Sequence, residues 1–94
     1  MYTWFVKADL KKDMEKFKKK KKVLHEAILK QILKVAKDPN YGEPLKYDLA
    51  GLRSAHVCGN FVLLYKWDLA TNTIHFLCLK DHKEAYKCRP IEED

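Results

Sequence analysis

Leu52-Arg53-Ser54-Ala55-His56-Val57-Cys58, Gly59-Asn60, Phe61-Val62-Leu63-Leu64-Tyr65-Lys66-Trp67 is the stretch whose reading decides the fold. Two β-rich runs flank a Gly-Asn pair, a strong short-range hairpin signal. A third run, Ile74-His75-Phe76-Leu77-Cys78-Leu79-Lys80, follows a turn near Ala70-Thr71-Asn72 and extends the hairpin into a meander. An unbroken two-residue turn would pair Cys58 with Phe61, His56 with Leu63, Ser54 with Tyr65 and Arg53 with Lys66. One face would then carry Ser54, His56, Phe61, Leu63 and Tyr65, and the other Arg53, Ala55, Val57, Val62 and Leu64. A bulge at the turn would change the direction of His56.

Upstream the period changes. Tyr2 to Val6 is aromatic and β-branched and reads as a first strand. Leu10, Met14 and Phe17 recur at helical spacing, with Asp9 available as N-cap. A second stripe, Leu24, Ala27, Ile28, Gln31, Ile32 and Val35, is out of phase with the first across the lysine run, so the simplest reading is an αα-hairpin with a tight basic turn. One bent helix is the alternative, since no Gly or Pro marks the break. Asp38-Pro39-Asn40-Tyr41-Gly42-Glu43-Pro44 is a loop. Leu45 to Leu49 reads as an extended connector or short strand. His82 to Lys87 is compatible with one helical turn, and 88–94 reads as a frayed tail. The order β-α-α-β-β-β implies an α+β domain: an antiparallel sheet with the N-terminal helical hairpin on one face, and a single domain over residues 1–94.

The formal charge is +6, unevenly placed. Between Lys7 and Lys37 twelve lysines stand against four acids, a balance of +8, so the rest of the chain is −2. A lysine surface on the first half attracts phosphates in a salt-dependent way. Three cysteines, Cys58, Cys78 and Cys88, match no zinc spacing and read as reduced thiols in a cytoplasmic protein. The N-terminal residues lack a signal-peptide core, and no apolar run approaches membrane-spanning length. Neither a metal nor a cofactor is expected.

Histidine gives and takes protons near neutral pH. His56 and His82, beside Arg53, Lys66, Lys80 and Tyr86 in a basic protein, suggest chemistry on a phosphodiester. The competing reading makes His56 a structural hydrogen-bonding residue. His82 lies where a strand gives way to a loop, a common setting for active-site residues. Arg53 opposite Lys66 would place like charges together, favourable only with an anion between them. Tyr86, four residues after His82, could cover that histidine. His25 and His75 read as structural or surface residues.

The lysine-rich helical pair, Glu43-Pro44-Leu45-Lys46, Gly51-Leu52-Arg53-Ser54-Ala55-His56-Val57, Phe61-Val62-Leu63-Leu64-Tyr65-Lys66 and Asp81-His82-Lys83-Glu84-Ala85-Tyr86 together resemble the RelE/ParE toxin superfamily, closest to its YafQ-like branch. The resemblance covers residues 1–87. It implies a RelE-like fold and the toxin of a type II toxin–antitoxin pair, a ribosome-dependent mRNA endoribonuclease acting on the A-site codon. The implied reaction is metal-independent attack of a ribose 2′-OH on the adjacent phosphate. Implied partners are an acidic antitoxin protein and the ribosome with its mRNA, with the toxin–antitoxin complex binding operator DNA and no membrane involved.

By position, the resemblance gives acid–base work to His82, with His56 matching a histidine on the second strand of the sheet. Tyr86 takes the place of a substrate-contacting aromatic residue. Asn60 replaces an aspartate, Phe61 a tryptophan and Glu43 a histidine of the YafQ-like branch. Cys78 and Val62 fall where an arginine is expected, so Arg53, Lys46, Lys66 and Lys80 become the candidate cations for the substrate phosphate. Lys11, Lys12, Lys16, Lys18, Lys19, Lys20, Lys21 and Lys22 are the candidate rRNA contacts. The alternative reading is a catalytically inactive member that binds antitoxin and co-represses transcription. A third is a gyrase-targeting toxin of the ParE branch.

Overall fold

The computed structural model describes residues 2–59 and 61–81. Strand β1 (Thr3–Val6) leads directly into helix α1 (Ala8–Lys20). Leu10, Met14 and Phe17 form the buried stripe of α1, as their spacing requires. Asp9 does not cap it. Lys7 holds the N-cap position without a side-chain cap bond, and Asp9 sits inside the first turn, where its charge complements the helix dipole. Helix α2 (Lys22–Lys37) buries Leu24, Ile28, Gln31, Ile32, Val35 and Ala36.

The two helices are separated by a single residue. Lys21 leaves the helical region at φ −137°, ψ 67°, which resets the phase between the two apolar stripes. Its amide still donates to the Phe17 carbonyl at 2.7 Å, so the chain turns without orphaning that group. The αα-hairpin reading therefore holds, and the break needs neither Gly nor Pro.

After α2 a one-turn 3-10 helix, Pro39–Tyr41, is closed by the Asp38 carboxylate accepting from the Asn40 amide at 3.1 Å. A two-residue strand, β2 (Glu43–Pro44), follows. The 45–49 connector contains no strand: Tyr47–Leu49 is a 3-10 turn, and the short strand lies just before it. Then come β3 (Leu52–Cys58), β4 (Phe61–Asp68) and β5 (Thr73–Asp81).

Among the described residues these strands form one sheet of order β1-β5-β4-β3-β2. The expected all-antiparallel sheet is corrected here, because β1 runs parallel to β5 while the other pairs are antiparallel. The cause is topological. The αα-hairpin is an even number of helices, and it returns the chain to the far side of the sheet, where β2 starts the meander back toward β1.

Two register shifts set which side chain faces which way. Between His56 and Cys58 an extra residue, Val57, is inserted opposite β4. Between Leu64 and Tyr65 the partner register jumps from Cys78 to Phe76, leaving Leu77 unpaired. As a result Ala55, Val57, Leu63, Tyr65, Ile74, Phe76 and Leu79 all pack against the helices in one core with Leu10, Phe17, Ile28 and Ile32. Each buried Val, Leu, Ile or Phe side chain among them contributes roughly 1.5–3 kcal/mol. Val62, Leu64 and Cys78 form a smaller cluster on the opposite, distal face, with Leu45 and Leu77 against it.

Candidate active site on the distal sheet face

The bulge at Val57 sends His56 to the distal face, where it is exposed and opposite Val62. Val62 in turn is opposite Lys80. His56, Val62 and Lys80 thus form one row across β3, β4 and β5, spanning about 10 Å from the first to the third strand. The next row is Glu43, Ser54, Leu64 and Cys78. Beyond the β5 bulge the third row is Leu52, Lys66, His75 and Phe5.

His56 is held by its own turn. Its Nε2 lies 2.9 Å from the Gly59 carbonyl oxygen. A carbonyl only accepts, so Nε2 carries the proton and Nδ1 is the ring atom left to face a substrate. The turn requires Gly59 at φ 57°, a left-handed conformation suited to glycine. The structural and chemical readings of His56 are therefore compatible: one nitrogen positions the ring and the other is available.

Lys80 is 1% exposed, although lysine is rarely buried. It sits at the β5 end that leads into His82, in the same cross-strand row as His56. Lys66 lies in the third row, exposed. Lys46 is exposed at the start of the 47–49 turn.

Arg53 does not join them. It stands opposite Tyr65, not Lys66, on the helix side, with Nε donating to the Gly42 carbonyl at 3.1 Å and a terminal nitrogen 3.5 Å from the Asn40 carbonyl. The expected Arg53–Lys66 anion site is thus not formed, since the Val57 bulge moves the two cations to opposite faces. Phe61 is also on the helix side, packed against the main core. Asn60, His82 and Tyr86 lie outside the described residues, and so does the 82–87 turn.

The sequence reading missed Tyr65 as the residue that fixes the loop under this sheet. Its buried hydroxyl donates to the Pro39 carbonyl at 2.7 Å and accepts from the Gly42 amide at 2.8 Å. Burial raises its pKa above the usual 10.0, opposed by the Gly42 hydrogen bond and the nearby Arg53 charge. The reading also left Glu43 unassigned. Glu43 stands opposite Ser54 in the register, diagonal to His56, and its place at a position where the resemblance has a histidine was the available signal.

The positions expected to hold arginine, Val62 and Cys78, both point to the centre of this face. The middle of the candidate site is therefore apolar, with its charges at the ends of the rows.

No family model matches the chain. RelE4 of Methanocaldococcus jannaschii, described as a candidate toxin, is 27% identical over 94 residues and covers both chains completely. The toxin–antitoxin complex RelBE2 of Mycobacterium tuberculosis contains a chain that superposes with TM-score 0.72 at 26% identity, over 85% of this chain and 96% of that one. In sequence along its whole length and in fold, this chain is similar to RelE toxins. The YoeB/ParE toxin of Agrobacterium tumefaciens shares the RelE fold at TM-score 0.75 and 20% identity, over 85% of this chain and 98% of that one. The sequence similarity to RelE4 runs along the full length, and the fold similarity covers most of the chain. They do not assign the chain to the YafQ-like branch.

Proposed function

We propose that this chain is the toxin of a type II toxin–antitoxin pair in the cytoplasm, and that it cleaves mRNA on the ribosome as a metal-independent endoribonuclease of YafQ-like character. The observation that carries the proposal is the row of His56 and Lys80 on the distal face of a RelE-fold sheet. The +8 helical segment on the other side adds an electrostatic footprint for rRNA.

In this reaction a base removes the proton of a ribose 2′-OH, whose oxygen forms a bond to the adjacent phosphorus. The bond from phosphorus to the 5′ oxygen breaks, and an acid protonates the leaving oxygen. The products are a 2′,3′-cyclic phosphate and a 5′-hydroxyl. His82 is the main acid–base group, with His56 assisting through Nδ1. Lys80, buried in the row of His56, adds positive charge beneath the phosphorane in place of the arginines absent at 62 and 78, and the exposed Lys66 and Lys46 bind the phosphates directly. Tyr86 and Asn60 complete the substrate contacts. Arg53 and Phe61, on the helix side, are reassigned to holding the fold and the far side of the β3–β4 hairpin.

A second reading is favoured by the apolar centre formed by Val62, Leu64 and Cys78. In it the chain is an inactive member that binds an acidic antitoxin and, as that complex, operator DNA. Induced expression separates the readings. The nuclease reading expects growth arrest that His82→Ala relieves and that co-expression of an acidic antitoxin suppresses. Harmless overproduction with a stable antitoxin complex supports the second reading. Arrest with DNA-damage signalling and intact mRNA supports a gyrase-directed toxin.

A further inference from the structure

A recess lies on the helix side of the sheet, between the α1–α2 corner and the β3–β4 turn. It has a volume of about 600 Å³ and is lined by the four lysines at 19–22 together with Val23, Leu24, Cys58 and Phe61. The rim is cationic and the floor apolar. Cys58 and Phe61 face each other as the closing pair of the hairpin and pack at the edge of the main core. Val23 is 80% exposed, an apolar side chain in the middle of a lysine cluster. Lys21 is drawn back over the Phe17 ring, its Nζ 5.9 Å from the centroid, while Lys19, Lys20 and Lys22 are exposed around the opening.

We infer that this recess is a nucleotide-binding site: an unstacked base of single-stranded RNA lies against Val23, Leu24 and Phe61, and its flanking phosphates are held by the lysines at 19–22. Four consecutive lysines fit a polyanion, but charge alone does not require an apolar floor with an aromatic residue. A nucleotide supplies both halves, a flat π-surface and a phosphate on either side. A purely acidic protein segment would match the rim and leave the floor bare. The recess adjoins the turn that bears His56, so RNA crossing the distal face can round the hairpin and place a base here. The inference rests on the proposed RNA-directed function only for its choice of polyanion.

Cys58 makes occupancy measurable. In a Cys88→Ser background the remaining thiols are Cys58, half-buried at the recess, and Cys78, buried in the sheet. The rate of Cys58 modification by an aromatic disulfide reagent is measured alone and with three probes: a short oligouridylate, inorganic polyphosphate and polyglutamate. The oligouridylate should slow modification roughly fivefold or more at low salt, with the protection fading as salt rises. The other two probes should change the rate by less than about twofold, because they lack a base to fill the floor. Val23→Glu, at an exposed position that leaves the core intact, should abolish the protection.

Equal protection by polyphosphate would make this a phosphate site only, and equal protection by polyglutamate would make it a protein-docking surface. Unprotected Cys58 with RNA bound, seen by fluorescence anisotropy, would place the RNA elsewhere, and absence of RNA binding would end the idea. Any of these overturns the inference. Protection that persists in His82→Ala while no mRNA is cleaved by the wild-type chain would sink the nuclease proposal and leave this site standing.

Discussion

His56 stands opposite Val62, one residue earlier in β4 than an unbroken hairpin closed at Gly59-Asn60 would place it. The difference is the bulged Val57, which keeps Ala55 and Val57 in the helix-side core while turning the histidine to the other face. A bulge beside an active site re-aims a side chain at the cost of one ladder position. Here it separates His56 from Tyr65 and Arg53 and puts it in line with Lys80.

Replacing His56 by Ala should therefore separate catalysis from stability. The ring is exposed and its hydrogen bond among the described residues is to the Gly59 carbonyl of its own turn, so thermal unfolding should change by no more than about 0.5 kcal/mol. Ribosome-dependent cleavage should fall by about a hundredfold, within the range that a positioned acid–base group contributes. An unchanged cleavage rate in a folded His56→Ala variant would return this residue to a purely structural role.

Tyr65→Phe should lower stability by roughly 1–3 kcal/mol, because it leaves the Pro39 carbonyl and the Gly42 amide without their buried partner. In a domain of this size that is roughly 4–8 °C of melting temperature per kcal/mol. Gly42→Ala should be at least as damaging, since an added Cβ would meet the Tyr65 hydroxyl at 2.5 Å and the Ser54 carbonyl at 2.8 Å. Circular dichroism melts check both.

The same tyrosine predicts an alkaline signature. Its native pKa is raised above 10.0, so the contribution is complete below pH 10 and declines as pH rises toward the native value, where the unfolded chain has already lost its phenolic proton. Denaturant midpoints measured from pH 8 upward should fall more steeply above about pH 10 for the wild type than for Tyr65→Phe. Parallel profiles would show that the buried hydroxyl does not titrate in this way.

Much of this arrangement is legible in the sequence, and the remainder is hidden for identifiable reasons. The stripes at Leu10, Met14 and Phe17 and at Leu24, Ile28 and Ile32 are local signals at helical period, and they mark both helices. Gly59-Asn60 marks the hairpin for the same reason. The parallel pairing of Thr3 with Thr73 depends on residues 70 apart in the chain, beyond the reach of any local pattern. The bulges at Val57 and Leu77 follow from which face must be buried, and they in turn decide that Arg53 belongs to the 38–42 loop. The partners of Arg53 and Tyr65 there are backbone groups, which leave no side-chain signature in the sequence. The candidate side chains could be named, but not the division that leaves His56, Lys66 and Lys80 on one sheet face and Arg53 and Phe61 on the other.

Reversing Lys11, Lys12, Lys16 and the lysines at 18–22 to Glu in groups should weaken ribosome association and flatten its salt dependence. These positions lie on the exposed side of α1 and around the Lys21 break. Each phosphate contact removed should reduce the slope of log affinity against log salt by about 0.7–0.9. Co-sedimentation with ribosomes at two salt concentrations measures it, and an unaltered affinity and slope would mean that the lysines are only a solvated surface.

The proposed activity is cleavage of mRNA on the ribosome by histidine acid–base chemistry on a RelE-like fold. Mapping mRNA 5′ ends in a reconstituted translation system, with the wild-type chain and with His82→Ala, tests it most directly. The account predicts new ends at A-site codons, bearing 5′-hydroxyls, that form without added chelatable metal beyond what translation requires and vanish with His82→Ala. Intact mRNA in the presence of ribosome-bound wild-type protein, or identical cleavage by the two proteins, would contradict it.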